Sequence, residues 1–116
     1  MKFKLYAVYA GQEIVYIDLI EDTVEAWHEA WDRHNEGFKD KEHPNYMYEV
    51  MREHKAEGHT ISMQPLRLLE YLPDWKNNTK DDLERIRKIL IYTILPIGNW
   101  DEYHKDEELM YEEMLD

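Results

Sequence analysis

Glu25, Ala26, Trp27 and His28 form an E-x-x-H segment, and Asp32 follows His28 by four residues. On a helix both spacings put a carboxylate and an imidazole on one face, which is how helical bundles hold metal ions when a second such segment opposes the first. No second E-x-x-H occurs, so the remaining ligands would have to come from His54, which sits next to Glu53 and near Glu57. Patterns this short arise often among abundant acids, and partly exposed histidines without a metal or other cofactor are the expectation. Arg52 and His59, separated by six residues, have a spacing used in some helical ribonuclease folds, but Gly58 between them should end the helix that would align them. Ser62 is the single serine and stands in no nucleophile elbow. The four glycines are scattered, so no glycine-rich loop cradles phosphate, and the absence of cysteine removes disulfides, thiol nucleophiles and thiolate metal sites.

Carboxylates are what the chain has in excess. Its 116 residues carry 26 Asp and Glu against 14 Lys and Arg, a formal net charge of −12. Glu25, Glu29, Asp32 and Glu36 recur at helical spacing on the face opposite Trp27 and Trp31. Along a helix that row repeats every ~5.5 Å on average, close to the ~6 to 7 Å between successive phosphates of a nucleic-acid strand. Glu49, Glu53 and Glu57 repeat the pattern further on, partly neutralised by Arg52 and Lys55, and Glu107, Glu108, Glu112 and Glu113 make a third acidic surface. Like charges four apart cost a helix a few tenths of a kcal/mol, so each row needs a reason. Solubility is reason enough for any single row. Three rows together, in a chain this acidic, give equal weight to a binding face.

The excess is uneven. Residues 21–58 hold 11 acids and 5 bases, and residues 99–116 hold 8 acids and one base, whereas residues 1–20 are neutral and 59–98 carry a net charge of +1. Such a field repels nucleic acid and anionic membranes, because phosphate contacts depend on Lys and Arg. It attracts basic partners.

The elements that must position these residues are readable from periodicity. Phe3, Leu5, Ala7 and Tyr9 alternate, as do Val15, Ile17 and Leu19, and Gly11-Gln12 between them fits a two-residue turn opened by glycine. A hairpin is expected over residues 2–20. Asp22 with Glu25 reads as a capping box for a first helix that carries Val24, Trp27, Trp31 and Phe38 and stops at Gly37. A second helix is expected from Pro44 to Gly58, burying Met47, Val50, Met51 and Tyr46. Residues 60–64 read as a strand, and Leu66, Leu69 and Leu72 fit either a short helix or an edge strand. Thr79 and Asp82 open a third helix whose Leu83, Ile86, Leu90 and Ile94 form the longest apolar stripe, which should place it at the centre of the core; Pro96 and Gly98 stop it. Trp100, Tyr103, Met110 and Met114 recur near helical spacing and favour a docked terminal helix, with acidic disorder as the competing reading because eight carboxylates against one lysine repel and solvate. Trp75, Trp100 and Tyr103 fall in or beside loops, where aromatic residues are freer to serve an interface.

The expectation is one α+β domain over residues 1–116, an N-terminal antiparallel hairpin open to a third strand and packed by three or four helices. The N-terminus alternates where a signal peptide would be continuously apolar, and no stretch approaches a membrane span, so the cytoplasm is the expected location. The function expected is binding, not catalysis: a small inhibitor whose carboxylate rows occupy a basic, nucleic-acid-binding groove of a partner protein, such as a nuclease. In composition alone the chain resembles the small acidic proteins that phages and mobile elements use against host defences, anti-restriction and anti-CRISPR proteins among them. The alternatives are a protein-interaction or assembly module that recognises its partner through Trp100, Tyr103 and methionine surface, and a small metal-dependent enzyme built on the histidines.

Overall fold

The computed structural model describes residues 2–66 and 79–106. β1 (Phe3–Ala10) and β2 (Glu13–Glu21) form the antiparallel hairpin. Ala10 pairs with Glu13 across the Gly11-Gln12 turn, and Gly11 takes the positive φ of 62° that a glycine-first turn requires. Val8 pairs with Tyr16 and Tyr9 with Ile14, which leaves Val15 as the extra residue of a bulge. β3 (Ile61–Pro65) pairs antiparallel with the other edge of β1, so the sheet has three strands in the order β2-β1-β3.

As the central strand, β1 is buried on both sides. Leu5, Tyr6, Ala7 and Val8 are consecutive and all inaccessible to solvent. Tyr6, Val8 and Ala10 pack with Ala30, Met47, Tyr48 and Met51, whereas Leu5 and Ala7 pack with Ile17, Leu66 and Leu83. The alternation in β1 therefore separates two cores and not core from water, as happens when both faces of a sheet are covered. One face is covered by α1 (Val24–Lys39) and α2 (Met47–Ala56), the other by α3 (Lys80–Ile94). The third helix is thus a cover for one face and not the centre of a single core: Leu83 and Ile91 are buried, while Ile86, Leu90 and Ile94 are only partly so.

The helix ends correct several expectations. Thr23, not Asp22, caps α1, its hydroxyl accepting from the Ala26 amide at 3.1 Å. The Asp22 carboxylate goes instead to Lys4, at 3.2 Å. α1 continues through Gly37 to Lys39, because Gly37 is a packing site: a Cβ there would collide with the Tyr48 ring of α2. α2 begins at Met47 and not at Pro44, with Asn45 Oδ1 accepting from the Met47 amide at 3.0 Å. That start turns Tyr48 inward and leaves Tyr46 exposed. Val24 is likewise exposed, and Trp27 and Trp31 are half-buried against the core.

Thr79 and Asp82 do form the expected capping box on α3. Leu95 ends that helix in the left-handed conformation (φ 52°), followed by Pro96. A 3₁₀ turn (Ile97–Asn99) leads into α4, described over residues 100–106. The Asn99 side chain, buried, accepts from the Ile17 amide and donates to the Ile17 carbonyl at 2.9 and 3.0 Å, anchoring this end of the chain to β2. The architecture is α+β: among the described residues, a three-stranded antiparallel sheet and four helices. The Leu69 and Leu72 ambiguity, Trp75, and Met110 and Met114 all lie outside the described residues. No described helix is long and apolar enough to cross a membrane.

Candidate functional site

The inward stripe of α1 is Ala30, His34 and Gly37, all buried, so the opposite side of the helix must face water. Glu25, Glu29, Asp32 and Glu36 occupy that side, and all four are exposed. On α2 the buried residues are Met47, Tyr48 and Met51, and Glu49 and Glu53 stand exposed on the outer side. Glu57 is exposed too, but as the C-cap of α2 and not within its last turn. Among the described residues, none of Glu25, Glu29, Asp32, Glu36, Glu49 and Glu53 forms an ion pair. Glu107, Glu108, Glu112 and Glu113 lie outside the described residues.

Trp100 and Tyr103 stand at the start of α4. Trp100 is 49% exposed, its indole N–H donating to the Leu95 carbonyl at 3.2 Å. Tyr103 is half-buried and meets Tyr92 edge-on with ring centroids 5.4 Å apart. Ile89 and Leu95 of the same region are also exposed, at 63% and 45%.

Two polar clusters that the sequence pattern did not single out hold the fold together. The first is His34, whose Nε2 lies 2.9 Å from the Tyr6 hydroxyl and whose Nδ1 lies 3.0 Å from the Tyr48 hydroxyl. Burial, reinforced by the nearby Arg33 charge, lowers the His34 pKa to about 4, so the ring is neutral at pH 7. A neutral imidazole has one donor and one acceptor, so one tyrosine donates to it and the other accepts. Burial and the Asp18 charge push Tyr6 up to about 12, and the same causes raise Tyr16, whose hydroxyl donates to Asp18 at 2.9 Å. The signal was present in the sequence: Ala30, His34 and Gly37 recur at helical spacing on a face away from the carboxylates.

The second cluster centres on Arg87 of α3, almost fully buried. Its two terminal nitrogens donate to the two Glu102 oxygens of α4, each at 2.6 Å. Its Nε lies 3.4 Å from Asp18 of β2, an ion-pair contact without hydrogen-bond geometry, and Glu84 approaches to 3.9 Å. Burial disfavours the charged guanidinium, but the carboxylates outweigh it and its pKa is raised. A bidentate guanidinium–carboxylate pair of this kind docks α4 onto α3.

The histidines fall differently from the E-x-x-H expectation. His28 is exposed and borders a shallow groove with Trp27, Trp31 and Ser62. It does not meet His54. His54 instead lies against His59, Glu57 and Glu13, and His54, Glu57 and His59 are the group of potential ligands found close enough among the described residues to share a cation. Arg52 does not align with His59 for catalysis: its guanidinium donates to the Phe38 and Asp40 carbonyls, at 2.9 and 3.5 Å, closing the C-terminal end of α1. Between α1, α2 and the start of β3 opens a cleft of about 440 Å³, walled by Trp31, Phe38, Met51, Lys55, His59 and Ile61.

Compared with family models, curated proteins and solved structures, the chain matches none.

Proposed function

We propose that this protein acts by binding and not by catalysis, and that it presents the carboxylates of α1 and α2 to a basic groove that otherwise holds nucleic acid. The observation that carries this reading is the row Glu25, Glu29, Asp32 and Glu36: exposed, without ion pairs among the described residues, and on the side of a well-anchored helix away from its buried stripe. Unpaired carboxylates on a rigid rod keep their field for a partner, and a row repeating every ~5.5 Å approximates the phosphate spacing for which such grooves are built. Inhibition would be steric, the chain and the nucleic acid competing for one surface.

The test starts with capture on the immobilised chain from a nuclease-treated bacterial lysate, eluted along a salt gradient. The expected partner is a basic nucleic-acid-processing protein that elutes with salt and whose DNA or RNA binding the chain competes away. Charge reversal of Glu25, Glu29 and Asp32 to Lys should weaken binding at least tenfold more than reversal of Asp81 and Asp101, exposed acids on α3 and α4. Equal losses would overturn the row. Asp18 and Glu13 are unsuitable controls, because Asp18 meets Arg87 and Glu13 meets His54.

A second reading has its own support in the exposure of Trp100, Leu95 and Ile89. Recognition by this apolar surface would be nearly insensitive to salt, and Trp100→Ala would cost more affinity than any row glutamate, as aromatic anchors generally do.

A further inference from the structure

The end of α2 is a Schellman turn. Gly58, with φ 91°, donates its amide to the Lys55 carbonyl at 3.0 Å, and the next amide, of His59, donates back to the His54 carbonyl at 2.9 Å. That second bond sets the backbone of His59 beside that of His54. The two imidazoles then face each other across the turn, with their Nδ1 atoms 2.9 Å apart. The Glu57 carboxylate reaches the same point, 3.9 Å from His59 Nδ1, and one ligand atom from each of the three residues lies within 4.8 Å of the others.

Two further contacts determine how this group is prepared. His54 Nε2 lies 2.9 Å from Glu13 Oε2 on β2. A carboxylate accepts, so Nε2 carries the proton, and the Nδ1 lone pair of that tautomer accepts from His59 Nδ1–H; a cation at this point takes that proton's place, and His59 then binds as its Nε2–H tautomer. A carboxylate behind a histidine is the usual second support of a metal ligand, fixing tautomer and ring orientation. His59 is held from the other side by the hairpin turn, where it packs on Gly11 and the Gly11 amide donates to the Thr60 carbonyl at 2.8 Å. The three ligands are therefore anchored on α2 and its cap, and braced by β2 and the Gly11 turn.

We propose that His54 Nδ1, His59 Nδ1 and a Glu57 carboxylate oxygen bind a first-row divalent transition cation, with Glu13 as the positioning residue behind His54. Zinc suits the set best. Metal–nitrogen bonds of ~2.0 to 2.1 Å at a tetrahedral angle separate two ligand nitrogens by ~3.4 Å, a small opening of the present contact. Two imidazoles and one carboxylate favour zinc and its neighbours over calcium or magnesium, which prefer oxygen throughout. Three protein ligands leave a coordination position for water. The inference stands apart from the groove function, although it assigns Glu57 to a cation instead of to a partner.

The experiment is calorimetric titration of ZnCl₂ into the metal-free full chain at pH 7.5, with Co²⁺ absorption to report geometry. One saturating equivalent is expected, with the intense visible bands of a tetrahedral Co²⁺ site. His54→Ala and His59→Ala should each weaken binding at least 100-fold, and Glu13→Gln about 10-fold, while His28→Ala leaves it unchanged. Zinc should raise the thermal midpoint of the wild-type chain and not that of His59→Ala. If a histidine variant fails to fold, Glu57→Gln, altered at an exposed side chain, carries the test through a 10-fold or greater loss. The absence of a saturable equivalent, or zinc affinity that survives both His59→Ala and Glu57→Gln, would overturn the site.

Discussion

The carboxylates of α1 and those gathered around Arg87 share one chemistry under opposite circumstances. On α1, Glu25, Glu29, Asp32 and Glu36 stand in water without ion pairs among the described residues. Around α3 and α4, Glu102 and Glu84 converge on Arg87, Asp18 reaches it from β2, and Asp106 meets Lys88 and the Tyr92 hydroxyl. The second group has exchanged part of its field for docking: its charges are partly neutralised by Arg87 and Lys88 and hold three elements in register. The first has kept its field and contributes nothing to packing. A net charge of −12 is therefore not one property of the molecule. Among the described residues part of it is structural, gathered around Arg87, and part is free, concentrated on the outer faces of α1 and α2 with Asp81 and Asp101 elsewhere, and the free part is what a partner can meet.

The comparison breaks most visibly at Arg87. Replacing it with Met keeps most of the side-chain volume but leaves Asp18, Glu84 and Glu102 facing one another without a cation. Removing one member of a buried ion cluster costs several kcal/mol, and with Glu102 about one-third exposed the expected loss is about 4 kcal/mol in chemical denaturation. The α4 amides should lose hydrogen-exchange protection ahead of the sheet, since the Glu102 pair is what docks them. A loss below about 1 kcal/mol would mean that the paired acids are as dispensable to the fold as the free ones.

His34 separates the inner side of α1 from its outer side. Its folded pKa of about 4 lies below the ordinary 6.5, so the neutral ring is the form that the fold prefers. Above pH 6.5 both states are neutral and this residue adds no pH dependence. As pH falls from 6.5 to 4 the unfolded chain takes up a proton that the folded chain refuses, and stability drops by about 3 kcal/mol before levelling off. Denaturant titrations across that range should show the fall in the wild-type chain and lose it in His34→Gln. An unchanged pH profile in the variant would remove His34 as its source.

Periodicity made the fold class legible, because each β-strand and helix has an apolar pattern of the right period: the hairpin, the strand from Ile61 and the capped start of α3 all stand where it puts them. What it could not carry were choices made by tertiary contacts. Asp22 has the local credentials of a cap and loses the place to Thr23, with Lys4 of the neighbouring strand taking its carboxylate. Gly37 has the local credentials of a helix stop and is instead the gap into which Tyr48 fits. The same limit applies to the sites. The outward row of α1 follows from spacing alone, since a buried stripe fixes its opposite. The His54 and His59 pair depends on a turn, and the Glu13 behind it comes from 41 residues away, so no spacing rule finds it.

The smallest expected effect is the most discriminating for the free charge. Neutralising Glu29 and Asp32 together, as Glu29→Gln with Asp32→Asn, removes repulsion between neighbours on α1 and deletes no ion pair among the described residues. Like charges at helical spacing cost a few tenths of a kcal/mol, so the double variant should be as stable as the wild-type chain or more stable by ~0.3 to 0.5 kcal/mol, measured by denaturation at low salt, with the gain shrinking as salt is added. The same variant should lose affinity for a basic partner. Stability and binding moving in opposite directions is the signature of residues kept at a cost to the fold, because acids retained only for solubility would leave binding untouched. Acids with a structural role like that of Glu102 would lower stability when neutralised, and that result would place the α1 row with the Arg87 cluster.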